Sequence, residues 1–467
     1  MSIDLRFDPN EIPLLTDLYE LTMAASYFAL GFNQPACFGI SVRRLPARRG
    51  FLVAAGLERL LEALEQFGFE PAILDYLASL KLFKPDFLDF LGKLRFTGEV
   101  HAMAEGTVFF AGEPIVEVRA PLIEAQLIET LVINQIGVAS LIASKAARSV
   151  IAARGKRLVD FGLRRSQGEA AGLIAARSSY LAGFDGTSNV LAGRRYGIPL
   201  YGTMAHSYIM AHDRERIAFE HFVQDFPKLS TLLVDTYDTV RGVENAVIVA
   251  DQMRRQGFEL QGVRLDSGDL ADLSFKARAI LDRNGLKNTS IFASGNLNEY
   301  KIHDLIAKSA PIDAFGVGTE MVVSGDAPSL DLAYKLNEYD GIPRIKTSEG
   351  KLTLPGKKQV FRAIDAGGRF YADLIGLADE TASLVARQFN PIPSEVETLL
   401  SLQFSGGRRL MPRPKLAESR ERFLNTLERL DPRYKELEQP EAYPARYTDA
   451  LNAMLDEQKQ RAAKCQE

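Results

Sequence analysis

Six apolar runs in the middle of the chain each stop at a short polar or glycine-rich stretch: residues 157–162, 198–203, 232–236, 262–268, 290–295 and 314–319. The segments between them are long enough for helices. Strand, polar turn and helix in repetition is the pattern of a parallel α/β barrel, whose active site is built by the loops at the carboxyl ends of the strands. The chain is therefore expected to form an irregular TIM-like α/β barrel over residues 126–330, with a seventh short strand at 181–184.

The flanking sequence reads differently. Residues 12–30 have the spacing of an amphipathic helix, with Leu14, Leu18, Leu21 and Ala25 on one side. A strand over 36–45 leads into a basic loop at 43–50, helical segments run to about residue 93, and short strands alternate with turns over 95–120. A long helical stretch, 122–153, enters the barrel. Beyond residue 330 short strands return, and these are expected to pair with the N-terminal strands. An α+β or β-sandwich domain would thus be assembled from residues 1–125 and 331–413, followed by a helical region over 414–467.

A length of 467 residues calls for two or three domains. A formal net charge of −4 argues against a general nucleic-acid binder, although it leaves room for a local basic pocket. The two cysteines, Cys37 and Cys465, have neither a CxxC partner nor a neighbouring histidine, which excludes a disulfide framework and argues against structural zinc. Asp4, Asp8 and Glu11 precede any apolar run, so no secretory signal is expected, and no uninterrupted apolar stretch approaches the roughly 18 residues that span a bilayer. The expected setting is the cytoplasm, without a membrane partner.

Most of the chemistry sits at the strand stops. Phe161 followed by Arg164 and Arg165 suits a flat anion, with the ring packed on the phenyl group and the negative charge on a guanidinium; the alternative is an exposed basic loop. His206, just past the end of the run at 198–203, can serve as acid, base or nucleophile toward a phosphoryl group, or simply cap a helix. Asp266 and Asp269 follow Arg264 and can hold ribose hydroxyls or Mg²⁺; Asp269 reads better as a helix cap and Asp266 as a ligand. The small-residue turns at Ser294-Gly295 and at Gly316, Gly318 and Thr319 present backbone N–H groups suited to anions. Residues 232–239 read as a strand end plus a helix cap. A P-loop is absent, and Gly316-Val317-Gly318 lacks the third glycine of a dinucleotide fingerprint.

Taken together, the stretches Leu15-Thr16-Asp17-Leu18-Tyr19-Glu20-Leu21-Thr22-Met23, Phe184-Asp185-Gly186-Thr187-Ser188-Asn189-Val190, Gly202-Thr203-Met204-Ala205-His206-Ser207, Arg264-Leu265-Asp266-Ser267-Gly268-Asp269, Gly316-Val317-Gly318-Thr319 and Leu416-Ala417-Glu418-Ser419-Arg420 resemble nicotinate phosphoribosyltransferases, the type II phosphoribosyltransferases, over nearly the whole chain. The resemblance implies ATP-coupled transfer of the phosphoribosyl group from 5-phosphoribosyl-1-pyrophosphate to nicotinate, giving nicotinate mononucleotide and pyrophosphate for NAD salvage. It implies that His206 is the histidine phosphorylated by ATP and that Asp266 is catalytic. Tyr19, reaching across a homodimer, would meet nicotinate together with Phe161, Arg165, Thr203 and Arg264. Ser294, Gly295, Gly316, Gly318 and Thr319 would hold the ribosyl donor. Mg²⁺ is the implied cofactor, carried on pyrophosphate and touching Asp266 rather than held in a dedicated protein site, and ATP is a co-substrate. Nicotinamide phosphoribosyltransferases share the fold, but an amide-selective pocket favours a carboxylate where this chain has Arg164 and Arg165. Quinolinate phosphoribosyltransferases are much shorter. A non-catalytic metabolite-binding protein on the same barrel would be free to lose His206, Asp266 and Thr319.

Overall fold

The computed structural model describes residues 9–348 and 353–464. The chain forms two compact units: Ile142–Pro328, and a unit in which Met1–Leu141 and Ser329–Glu467 come together.

The Ile142–Pro328 unit carries the parallel strands. Their order is Gly186–Thr187, Arg157–Asp160, Ala314–Val317, Ser290–Ala293, Gly262–Leu265 and Thr231–Leu233. Five of the six apolar runs are thus strands, short and apolar because helices cover them; all four residues of Ala314–Val317 are buried. The run at 198–203 contributes only an isolated bridge between Thr187 and Leu200. Pro199 has no N–H to donate, so the contact is limited to its carbonyl accepting from Thr187 N at 3.0 Å and Tyr201 N donating to Thr187 O at 3.0 Å. Among the described residues no ladder joins Leu200 to Thr231–Leu233. Side chains span that gap instead: His206 Nδ1 lies 3.1 Å from Thr236 Oγ1. The barrel is irregular at this seam.

Polar side chains at the strand stops start the helices. Asp238 accepts from Arg241 N at 2.8 Å, and Asp269 accepts from Ala271 N at 3.0 Å and Asp272 N at 3.1 Å, so both act as caps as their positions suggested. Each such cap contributes about 1 kcal/mol. The expected strand at 181–184 is not one. Leu181 ends the helix Glu169–Leu181, Gly183 turns the chain with φ +102°, and the strand begins at Gly186.

The other unit is built mainly on antiparallel sheets. A seven-stranded sheet orders Ile342–Pro343, Leu332–Tyr339, Pro35–Val42, Pro114–Pro121, Glu99–Ala102, Ser401–Ser405 and Arg408–Arg409, interleaving strands from before and after the barrel. A four-stranded sheet contains Glu395–Thr398, Lys358–Ile364, Phe370–Leu377 and Ala445–Tyr447. The C-terminal region is therefore not purely helical: Ala445–Tyr447 pairs in parallel with Phe370–Leu377, between the helices Leu416–Arg429 and Asp449–Lys464. Two helix boundaries also differ from the sequence reading. Pro13 sits in a 3-10 helix, Pro9–Leu14, and Asp17 is extended, so the first α-helix is Leu18–Leu30 rather than 12–30. The 122–153 stretch is two helices, Leu122–Leu127 and Glu129–Ala153, separated at Ile128.

Among the described residues, Glu129–Ala153 is the one helix long and apolar enough to cross a membrane, and most of its apolar window is buried within the protein. Its basic residues are satisfied internally. Lys145 Nζ meets Glu299 Oε1 at 2.9 Å and Asp326 Oδ1 at 2.8 Å, and Arg148 Nε meets Glu299 Oε1 at 2.8 Å. Buried charges paired in this way belong to a core helix.

Candidate active site

Arg264, one residue from the end of Gly262–Leu265, is the hub of the barrel mouth. Its Nε donates to Ser294 Oγ at 2.8 Å, one terminal nitrogen to Thr203 Oγ1 at 3.0 Å and Met204 O at 3.3 Å, and the other to Asp266 Oδ1 at 2.8 Å. Its guanidinium lies 5.3 Å from the centre of the Phe161 ring. One planar cation thus joins the loops after two strands to the Thr203 segment that follows the Leu200 bridge, and rests against Phe161 at the end of a further strand. Only arginine offers five donors in a fixed fork; these bonds use four, and among the described residues the fifth is left for a ligand.

Asp266 is the second junction. Its Oδ1 accepts from Arg264 and from Ser294 Oγ at 2.5 Å, while Oδ2 lies 3.8 Å from His206 Nε2. Burial pushes its carboxyl up, but the bonds from Ser294 and Arg264 outweigh burial and hold it below the usual aspartate range. The sign follows. A depressed folded-state pKa adds stability above the unfolded value, and that stability is lost as pH falls through the folded value. The stability difference between wild type and Asp266→Asn is expected to stay constant from about pH 8 to about pH 5 and to shrink only below about pH 4. Urea unfolding across that range checks this; a difference that collapsed near neutral pH would contradict it.

His206 begins the short helix His206–Met210 and is partly exposed. Thr236 holds its Nδ1, leaving Nε2 toward Asp266 and the mouth. Sequence reasoning passed over Thr236 and its neighbour Asp235. Asp235 Oδ2 accepts from Asp266 N at 2.9 Å and from Ser267 Oγ at 2.6 Å, so it shapes the loop that carries Asp266. The signal was present: both residues stand at one of the six polar stops, where only a strand end and a helix cap were read.

Phe161 stacks on Phe292, with ring centres 5.5 Å apart. Gly316 makes room for them: a Cβ there would lie 2.6 Å from Phe161 Cδ2 and 2.9 Å from Phe292 Cε1. Gly295 has φ +96°, and a Cβ would come within 1.9 Å of Asp266 O, so the turn beside Asp266 accepts only glycine. The Phe161 loop is pinned by Asp160, which accepts from Gly162 N at 2.8 Å and Thr187 Oγ1 at 2.7 Å. Burial raises its pKa, against the lowering effect of these two hydrogen bonds. Arg164 and Arg165 follow on an exposed turn, and among the described residues neither has an ion-pair partner.

The structure thus brings together Phe161, Thr203, His206, Arg264, Asp266 and Ser294, with Gly295 and Gly316 as spacers. Ser294 is buried, and its hydroxyl is spent between Arg264 and Asp266 rather than open to a ligand. Gly318 and Thr319 open the one-turn helix Thr319–Val322, whose first N–H groups have no partner within the helix. Tyr19 lies in the other unit, on Leu18–Leu30, and is 46% exposed; partial burial and the carboxylates Glu129 and Glu20 raise its phenol pKa.

Comparison with known proteins matches three domain families in order along the chain. They are the nicotinate phosphoribosyltransferase (NAPRTase) N-terminal domain over residues 14–137, the nicotinate phosphoribosyltransferase (NAPRTase) family over 156–341 and the nicotinate phosphoribosyltransferase C-terminal domain over 357–455. A Mycobacterium tuberculosis protein named nicotinate phosphoribosyltransferase pncB2 is 47% identical over 439 residues, covering 94% of this chain and 92% of that protein. The crystal structure of human nicotinic acid phosphoribosyltransferase superposes with a TM-score of 0.83 at 31% identity, covering 95% of this chain and 99% of the other. A nicotinate-nucleotide pyrophosphorylase from Pyrococcus furiosus superposes with a TM-score of 0.74 at 26% identity, covering 92% and 99%.

Proposed function

The chain belongs to the nicotinate phosphoribosyltransferase family, and from that premise we propose how its barrel mouth works. It transfers the phosphoribosyl group of 5-phosphoribosyl-1-pyrophosphate to nicotinate, forming nicotinate mononucleotide and pyrophosphate for NAD salvage. The pyridine nitrogen attacks the anomeric carbon as the bond to pyrophosphate breaks. The enzyme's task is to align those atoms and to stabilise charge on both sides of the transition state. The Arg264 hub carries this reading, because it fixes the Thr203, Asp266 and Ser294 loops in one arrangement and keeps a donor for a ligand.

In this scheme nicotinate lies on Phe161 with its carboxylate toward Arg165 and Arg264, and Thr203 borders the ring. The amides of Gly318 and Thr319, with the turn at Gly295, take the ribosyl phosphates, while Gly316 lies within the strand Ala314–Val317 and serves as the spacer under Phe161. Asp266 Oδ1 is already committed, so Oδ2 is the one oxygen it can offer to Mg²⁺, and among the described residues no cluster of three or more metal-binding side chains exists. That suits an ion held mostly by pyrophosphate oxygens and water, which would neutralise the leaving group. ATP phosphorylates His206, releasing ADP, and hydrolysis of the phosphohistidine later restores the imidazole. The enzyme acts in the cytoplasm as a homodimer, with Tyr19 contributed across the dimer to the nicotinate site.

Incubation with ATP labelled in its γ-phosphate is expected to place about one phosphoryl group per chain on His206, stable in alkali and lost in acid. Label recovered on any other residue would refute the coupling. Independently, Gly316→Ala displaces the Phe161 ring, and KM for nicotinate is expected to rise about tenfold, the loss of roughly 1.4 kcal/mol of aromatic packing. An unchanged KM would remove Phe161 from the ring site.

A further inference from the structure

Two imidazoles meet outside the barrel mouth. His212 ends the turn that follows His206–Met210, and His221 lies on the helix Glu215–Asp225. His212 Nε2 and His221 Nδ1 are 3.2 Å apart, with ring centres 5.2 Å apart. His212 Nδ1 is 2.8 Å from Tyr208 O. A carbonyl only accepts, so Nδ1 carries the hydrogen and His212 Nε2 presents a lone pair. Among the described residues neither imidazole pairs with a carboxylate, and His221 is exposed to solvent.

We propose that His212 and His221 form a two-imidazole site for a divalent transition cation of the Zn²⁺ class. Two observations converge with the chemistry of the pair. Two nitrogens bound to one tetrahedral Zn²⁺ at about 2.0–2.1 Å are separated by about 3.4 Å, so the hydrogen-bonded pair at 3.2 Å already has the required spacing, and rotation of the rings aims both lone pairs at one point. The Tyr208 carbonyl fixes the His212 tautomer, as the outer hydrogen bonds of metal-binding histidines do. His221 can shift its hydrogen from Nδ1 to Nε2, where solvent accepts it, so a neutral pair binds the cation without net proton loss. No third side chain is at hand among the described residues, so water completes the shell. A cation here would tether the turn after the His206 helix to Glu215–Asp225.

The test is titration of the full chain with ZnCl₂ alone, followed by calorimetry and by melting temperature, for wild type, His212→Ala, His221→Ala and His221→Asn. Wild type is expected to bind with an affinity at least about tenfold above all three variants, with a zinc-dependent rise in melting temperature that they lack. Zinc-free variants that melt with wild type exclude a folding artefact. Mg²⁺ in excess is expected not to compete, because it prefers oxygen ligands. Equal zinc affinity in the variants, or loss of binding on His206→Ala alone, would overturn the site. The readout is independent of phosphoribosyl transfer, so it stands or falls apart from the proposed function.

Discussion

Replacing Arg264 by alanine is expected to lower kcat/KM for nicotinate mononucleotide formation by about a thousandfold while leaving the fold intact. The guanidinium is mostly buried and holds Ser294, Thr203, the Met204 carbonyl and Asp266 at once. Removing a preorganised donor from a reaction site costs about 3–4 kcal/mol of transition-state stabilisation. Here the loss falls on the alignment of the Thr203, Asp266 and Ser294 loops and on the donor kept for a ligand. At 1.36 kcal/mol per factor of ten, about 4 kcal/mol corresponds to roughly a thousandfold. Arg264→Lys is expected to recover little, since an ammonium cannot span Ser294, Thr203 and Asp266 in one plane. Steady-state kinetics beside a melting curve checks both variants. An alanine variant within about tenfold of wild type, or a fully active lysine variant, would show that the hub is scaffold only.

His206→Ala is expected to abolish the stimulation by ATP while leaving a slower, ATP-independent transfer. The imidazole is partly exposed, held through Nδ1 by Thr236 and placed 3.8 Å from Asp266 through Nε2. None of the bonds of Arg264 passes through it. Its removal should therefore spare the nicotinate side of the mouth and delete only the group that takes the phosphoryl. Rates with and without ATP should coincide in the variant and differ in wild type, and the variant should take no label. A variant that still responded to ATP would move the coupling to another residue.

The strands and helix caps of the barrel were legible in the sequence because they are local. A short apolar run ended by Asp or Gly reads as a strand stop, and Asp238 and Asp269 stand where a cap must be. What escaped was non-local. Nothing in the order of residues says that Ser294 spends its hydroxyl on Asp266, or that Thr236 reaches back to His206 across the seam where Pro199 weakens the ladder. Which way a loop side chain points is decided by how the strands close, and that depends on contacts many residues apart. The same holds outside the barrel. Ala445–Tyr447 becomes a strand only because Phe370–Leu377 offers it an edge, and a propensity window centred on the surrounding helices hides it. Pro13 was a readable helix breaker, and it moved the start of the first helix to Leu18. The resemblance supplied the substrates; the residues alone supplied a cation beside an aromatic ring, a histidine and small-residue turns.

The most direct measurement is product formation from 5-phosphoribosyl-1-pyrophosphate with nicotinate or nicotinamide, each with and without ATP, in the presence of Mg²⁺. The account predicts nicotinate mononucleotide, formed faster with ATP, and little turnover of nicotinamide. Preference for nicotinamide, or no turnover of either substrate, would contradict it.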